Sequence, residues 1–412
     1  MRIAFVTQKI VRHDGQGRVN AVVVDELLRR GHSIVAITTE LAEEFHGHPR
    51  LHWVRVTAGG LPSQLAKDQL FAWRAGRALA RAVAREPAEP DPESGGGIDR
   101  VIVNGFVCWA RSDVNIVHFV HAAWMRSPAH PIRKGAIRKG AIRRSLAPLT
   151  LYRALYTLLN VGFERWSFRR ADRLVAVSRT VRDELVGAGT AAPRIRVIDN
   201  GVDAEEFRPG RPDPERFGFA PGQVVALFVG DARSDRKNLD GVLHALASVT
   251  GLALAVVGDA EGGPYPALAS RLGLDGRVRF LGHRRDVAAL MRAADLFVFP
   301  TRYEPFGLVL LEAAASGLPV VTTRVAGASW LLEDGGAVLL DDPEDRAGLA
   351  TALRRLAGDA DARRRMGAAA RRLAERYDWV VTANEYADLI ESLGPCGRHP
   401  VEIRRRATVT AA

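Results

Sequence analysis

Cysteine is nearly absent from this chain: its 412 residues include two, Cys108 and Cys396, far apart and neither in a CxxC pair. That excludes a disulfide framework and points to a reducing compartment. Long apolar runs are missing as well, since no stretch approaches the roughly 20 residues needed to cross a bilayer. The opening MRIAFV runs straight into a strand-like segment with no h-region or cleavage site, so no secretory leader is expected. The expected location is cytoplasmic, or peripheral on the inner face of a membrane. Nucleotide fingerprints are incomplete. There is no G-x-x-x-x-G-K-[ST] string, and the glycine-rich HDGQGRVN has Asn20 where a dinucleotide motif needs its third glycine. Asp359-Ala360-Asp361 spells D-x-D but lies in a polar helical stretch away from any strand end, and reads as a helix cap and a surface acid. His118 and His121 are three apart with no third ligand nearby, so no metal site is expected.

What is present describes a globular α/β protein. Apolar residues make up 47% and charged residues 25%, and the length implies two domains. The net charge is +11, and residues 126–170 hold nearly all of the excess, with eleven Arg or Lys against one acid, Glu164. Within this segment IRKGAIRKGAIRR (132–144) is a local basic motif, and Leu151, Leu155, Leu158 and Leu159 form a helical apolar stripe. Two readings follow. The segment attaches to an anionic membrane surface, with a lipid-linked acceptor, or it packs on its own domain with a solvated basic face. A nucleic-acid partner is not expected, because no zinc spacing, helix-turn-helix signature or aromatic platform accompanies the charge.

Short β-branched runs alternate with helical stretches throughout. Ile3–Thr7, Ser33–Thr38, Leu51–Val56, Val101–Asn104, Asn115–Val120 and Leu174–Val177 read as strands, with helices over Val19–Arg30 and Gln64–Arg85. The same grammar returns in Val224–Val229, Leu252–Val257, Val278–Leu281, Leu296–Pro300, Val320–Thr323 and Val338–Leu340. Continuous apolar strands separated by helices indicate parallel sheets covered on both faces. The expected architecture is α/β, two doubly wound Rossmann-like domains facing a cleft at the strand C-termini. The first spans 1–203, a proline-rich linker 204–222, and the second 223–377. The helix 378–393 could belong to either, and 394–412 is a basic tail expected to be disordered.

Four strings carry chemistry. In RYEPFGLVLLE (302–312), Glu304 follows a strand at the cleft mouth and Glu312 lies in the next helix. Between them the backbone amides of Phe306, Gly307 and Leu308 form a helix N-terminus suited to a diphosphate. In VGDARSDRKN (229–238), Arg233, Arg236 and Lys237 bring three cations to a neighbouring strand end. Gly15 and Gly17 form a flexible loop after the first strand, and His121, at the end of an apolar strand, reaches the cleft as a hydrogen-bonding group, acid or base.

Together these strings resemble the retaining GT-B glycosyltransferases of family four, over roughly 1–392. The resemblance implies a metal-independent transfer from a nucleotide-sugar donor, UDP- or GDP-linked, to an acceptor hydroxyl, in polysaccharide or glycolipid synthesis. The nucleotide sugar is a substrate, so no cofactor is implied. Glu304 would contact the donor sugar and Glu312 the ribose, with the amides at 306–308 on the diphosphate. Lys237 fits the family's lysine, but Asp231 stands where its arginine belongs, leaving Arg233 or Arg236 to substitute. Gly15 and Gly17 resemble the family's loop near the donor phosphate, His121 its cleft histidine, and Gly282 the region meeting the nucleobase. The helix 378–393 resembles the one that crosses back to the first domain. A sugar-nucleotide epimerase sharing this architecture is the alternative, and the glutamate pair argues against it.

Overall fold

The structure is a computed structural model that describes residues 1–61, 63–84, 97–130 and 148–393. The basic repeat 132–144, the tail 394–412 with Cys396, and the proline- and acid-rich stretch before Gly97 lie outside the described residues.

The first sheet contains β1 (Arg2–Val6), β2 (Ser33–Thr38), β3 (Leu51–Arg55), β4 (Arg100–Asn104), β5 (Ser112–Val117), β6 (Ala171–Ala176) and β7 (Ile195–Val197). They lie in the order β3-β2-β1-β4-β5-β6-β7, parallel throughout. The second sheet contains β8 (Val224–Val229), β9 (Leu252–Val257), β10 (Val278–Phe280), β11 (Leu296–Phe299), β12 (Val320–Thr323) and β13 (Ala337–Leu340). Its order is β10-β9-β8-β11-β12-β13, again parallel. Each sheet reverses its winding once, between β1 and β4 and between β8 and β11. A crevice opens at the strand C-termini of such a switch point.

Helices cover both faces: α1 (Gly15–Arg29), α2 (Gln64–Ala84), α3 (His121–Arg126), α4 (Pro148–Arg170) and α5 (Arg179–Gly187) in the first half, then α6 (Leu239–Ala247), α7 (Tyr265–Arg271), α8 (Val287–Ala293), α9 (Leu308–Ala315), α10 (Arg346–Gly358), α11 (Ala360–Ala374) and α12 (Trp379–Ser392). The alternation of β1 explains the layering. Ile3 and Phe5 join the core shared with α1, while Ala4 and Val6 face Phe71, Ala75 and Leu79 of α2. A strand covered on both sides has no polar face, which is why these runs read as continuously apolar.

Of two local findings, the first differs from the sequence expectation and the second agrees with it. Helix α1 starts at Gly15, because Asp14 caps it by accepting from the Gly17 amide at 2.5 Å. Gly15 and Gly17 therefore lie in the first helical turn and not in a loop before it. Asp359 caps α11 through the Ala362 amide at 2.7 Å.

The chain crosses between the domains twice, side by side. Val202 bridges Asp378, and a side chain on Gly201 would collide with the Trp379 backbone. Helix α12 then packs on the first domain. Arg30 donates to Asp388, Glu391 and Asn384 at 2.6, 2.8 and 2.7 Å, and Tyr386 and Ile390 are fully buried.

Helix α4 inverts the usual amphipathic arrangement. Its inward face is polar, with Thr157, Asn160, Glu164 and Ser167 all buried, although Val161 and Phe168 also turn inward. Its outward face exposes Leu151, Leu155, Leu158, Leu159 and Trp166. No helix among the described residues is long and apolar enough to cross a membrane.

Candidate active site

The second domain supplies a charged pair at its switch point. Beyond β8 the chain makes one 3-10 turn, Asp235–Lys237, capped by Ser234. Asn238 follows in the left-handed region at φ 61°. Its side chain accepts from Gly241 and donates to the carbonyls of Pro300 and Pro343 at 2.9 and 2.6 Å. This fixes the turn against the end of β11 and aims Lys237 into the crevice. Arg302 secures the same turn from the other side. It is buried, pairs with Asp240 and Glu344, and donates to the Asp235 carbonyl at 2.8 Å.

Lys237 lies over the Phe299 ring, 5.0 Å from its centre, and forms an ion pair with Glu304. Burial pulls the ammonium pKa below its ordinary value, and Glu304 opposes that pull. The loop carrying Glu304 is closely seated. Its carbonyl accepts from Gly327 at 2.9 Å, and a side chain on Gly327 would collide with the Pro305 carbonyl. Gly307, at φ 93°, turns the chain into α9 and offers no side-chain cap to the helix. The N-terminus of α9 thus begins just past the Lys237–Glu304 pair, where its dipole favours an anion. The start of α1 approaches it from the other domain, since a Cβ on Gly15 would lie 3.3 Å from Leu308. Glu312, one helical turn further in, faces Arg18 of α1 at 3.4 Å. Burial pushes its carboxyl up to about 7, with Arg18 opposing and Glu206 adding to the rise.

The first domain supplies the other wall. His121 opens α3, and the buried Glu164 of α4 accepts from its backbone amide at 2.8 Å and from its Nδ1 at 2.5 Å. With the proton on Nδ1, Nε2 is the acceptor, met by the Asn160 amide at 3.3 Å. Phe119 packs 4.8 Å from the imidazole, and the Arg236 guanidinium lies 5.9 Å from the Phe119 ring centre. The cleft therefore runs from Glu164 and His121 through Phe119 to Arg236, Lys237 and Glu304. Tyr303 ties its floor together. Its hydroxyl donates to Glu184 of α5 at 3.1 Å, and Ser178 donates to the Pro305 carbonyl at 2.6 Å.

Two family models match this chain. Glycosyltransferase Family 4 covers residues 13–206 and Glycosyl transferases group 1 covers 223–359. The chain belongs to this glycosyltransferase family. The D-inositol 3-phosphate glycosyltransferase of Corynebacterium kroppenstedtii is 35% identical over 250 residues, 56% of this chain and 55% of that protein. The chain thus spans about half the length of the curated relatives it matches. Among solved structures, WaaG, a glycosyltransferase involved in lipopolysaccharide biosynthesis, aligns over 95% of this chain and all of its own with a TM-score of 0.71 at 23% identity. Anabaena HepE in complex with UDP-glucose aligns over 95% and 100% with a TM-score of 0.65 at 22% identity. The fold is GT-B.

Within this cleft the structure gathers most of the residues expected from sequence: Lys237, Glu304, Arg236, Phe306, Gly307, Leu308, Glu312, Gly15 and His121. Gly17 serves the α1 cap. Gly282, just past β10, accepts from Gly258 at 2.9 Å, and Gly258 packs so closely on the Gly230 carbonyl that a side chain there would collide. Arg233 points elsewhere. It pairs with Asp259 at 2.6 Å, both side chains more than half exposed. Of the two arginines offered for the family position, Arg236 is the one at the cleft. Sequence reasoning missed Arg18, Asn160 and the pairing of Glu164 with His121. Arg18 stood inside the glycine-rich string, and Glu164 was the lone acid of a basic segment.

Proposed function

We propose that this chain is a retaining, metal-independent glycosyltransferase acting on a nucleoside-diphosphate sugar, with UDP as the nucleotide. The observation that carries the reading is the Lys237–Glu304 pair at the β8/β11 switch point beside the N-terminus of α9. A diphosphate entering there displaces the carboxylate from Lys237 and meets Arg236 and the amides of 306–308. The leaving diphosphate gains negative charge in the transition state, and cations and helix amides already in place stabilise it without reorganising. Glu304, released from Lys237, is free for the sugar hydroxyls, and Glu312 for the ribose. An acceptor hydroxyl entering past His121 attacks C1 from the face the diphosphate leaves, and the diphosphate oxygen takes its proton. The fold shared with HepE, solved with UDP-glucose, supports the choice of UDP.

Peripheral attachment to an anionic bilayer belongs to the same reading. The exposed leucines of α4, Trp166 with Arg170 over its ring, and the adjacent basic run supply apolar insertion and charge together.

The test is calorimetric titration with UDP, GDP, ADP and their glucose conjugates in EDTA, with product anomers assigned by NMR. UDP-glucose binding lost in both Lys237→Ala and Glu312→Ala, with retained configuration in the product, is the expected result. Binding only after a divalent metal is added overturns metal independence, and an inverted product overturns retention. Salt-sensitive flotation with phosphatidylglycerol vesicles, absent with phosphatidylcholine alone, is expected for the membrane part.

A further inference from the structure

At the switch point of the first sheet, beyond β1 and β4, the first-domain side of the cleft opens into a cavity of about 210 Å³ that Phe119, His121 and Glu164 also line. Its wall includes Gln8, Asp68, His118, His121, Tyr156 and Glu164, and no Lys or Arg is among the described residues that line it. Three donors converge on Asp68. Gln8 and Gln64 donate to Oδ1 at 3.1 and 2.8 Å, and the Tyr156 hydroxyl donates to Oδ2 at 3.1 Å. A carboxylate offers about four lone-pair positions, so Oδ2, with one donor among the described residues, has capacity for another. Asp68 is 8% exposed. Among the described residues, these donors to it are neutral side chains, which satisfy a carboxylate without cancelling its charge. The second carboxylate, Glu164, is occupied by His121. His118 adds an Nε2 that is shielded from solvent and has no partner among the described residues. Burial pushes that imidazole down to about 4, so it stays neutral near pH 7.

This set of groups has a definite preference. Hydroxyl donors gain charge-assisted bonds to Asp68 and further bonds to the histidine nitrogens and glutamine carbonyls. A phosphate has no donor of that strength to offer and meets buried negative charge, with no Lys or Arg among the described lining residues to offset it. From this cavity we infer that the acceptor is an uncharged polyhydroxylated ring, a sugar or cyclitol without phosphate, and that Asp68 is the residue that selects it. The inference rests on the transferase reading above. It separates this chain from relatives named for an inositol 3-phosphate acceptor. Asp68 is a specificity-determining residue. It binds a hydroxyl away from the reacting one and leaves the donor site untouched.

Ligand-detected saturation-transfer NMR on the full chain tests this without turnover. Methyl α-glucoside, myo-inositol and glucose 6-phosphate are the probes, with the wild type, Asp68→Asn and Tyr156→Phe. The expected result is saturation of at least one neutral probe, weaker saturation of glucose 6-phosphate, and binding of the neutral probe weakened about tenfold or more in Asp68→Asn. In Asp68→Asn the preference for the neutral probe over the phosphorylated one should also shrink, a change that simple loosening of the fold does not produce. Tyr156→Phe keeps the charge and should retain the preference. Equal or stronger saturation of glucose 6-phosphate, no saturation of either neutral probe, or an unchanged preference in Asp68→Asn overturns the proposal. UDP binding, measured on the same samples by calorimetry, reports on the donor reading independently. Neutral-probe binding with no UDP binding faults the donor assignment, and the reverse faults the cavity.

Discussion

In the second domain, most of the cleft groups come from short strings next to a strand end: Lys237 and Arg236 from the turn after β8, Glu304 and the amides of 306–308 from the turn after β11. In the first domain, the working groups are assembled from a distance. His121 is oriented by Glu164, 43 residues away, and Asp68 is held by Gln8 from 60 residues earlier. One wall of the cleft is written locally and the other is made by packing helices α2, α3 and α4 over the sheet. In the proposed function, the local wall takes the part of the substrate that every nucleotide-sugar transfer shares, a charged diphosphate, and the assembled wall takes the part that varies.

The sharpest way to break this contrast is at the ion pair. Lys237→Ala is expected to lower transfer by about a hundredfold to a thousandfold and to abolish the stabilisation that UDP gives in thermal melts. Retained UDP stabilisation would remove Lys237 from the donor site. On the other wall, Glu164→Gln leaves the imidazole without its carboxylate. Transfer is expected to fall by about a hundredfold with UDP affinity unchanged, so steady-state kinetics and calorimetry must diverge. A parallel loss of UDP affinity would mean that the two walls do not divide the labour.

A smaller effect concerns pH. Burial raises the folded-state pKa of Glu312 from 4.5 to about 7, and Glu184 shifts in the same direction, also to about 7. An acid whose pKa is raised by folding favours the protonated native state. Its contribution is complete below pH 4.5 and is lost as pH rises through 7. Thermal stability of the nucleotide-free protein is therefore expected to decline between about pH 5 and 8, with no more than about 3 kcal/mol attributable to Glu312. Glu312→Gln should flatten that slope, and an unchanged slope would contradict the assignment. The smallest effect is at the surface. Leu158→Glu replaces an exposed leucine and should change stability by less than about 0.5 kcal/mol while abolishing vesicle flotation. Undiminished flotation would detach the outer face of α4 from membrane binding.

The same contrast explains what could be read in advance. The strands were legible because a parallel strand covered on both faces must be apolar at every position. The second-domain wall of the cleft was legible because cations, acids and glycines cluster within a few residues of each strand end. Gly15 and Gly17 were misplaced into a loop because glycine argues against helix, whereas the Asp14 cap and the close fit of Gly17 against Val11 decide otherwise. The role of Glu164 was hidden because its partner lies across the fold, and a lone acid among eleven bases reads as surface. Helix α4 was ambiguous for the same reason: a leucine stripe does not say which face meets the core. Here the polar inner face was recruited to the cavity, and the apolar face was left outside.

The position of α12 has a consequence for how the protein is made. The first domain is discontinuous: α12, near the end of the described chain, packs on α1 with Tyr386, Ala387 and Ile390 fully buried. Synthesis proceeds from the N-terminus, so the whole second domain emerges before the first can be completed. During that interval the first domain waits with an open seam, and the second, contiguous in sequence, is free to fold ahead of the domain that preceded it off the ribosome.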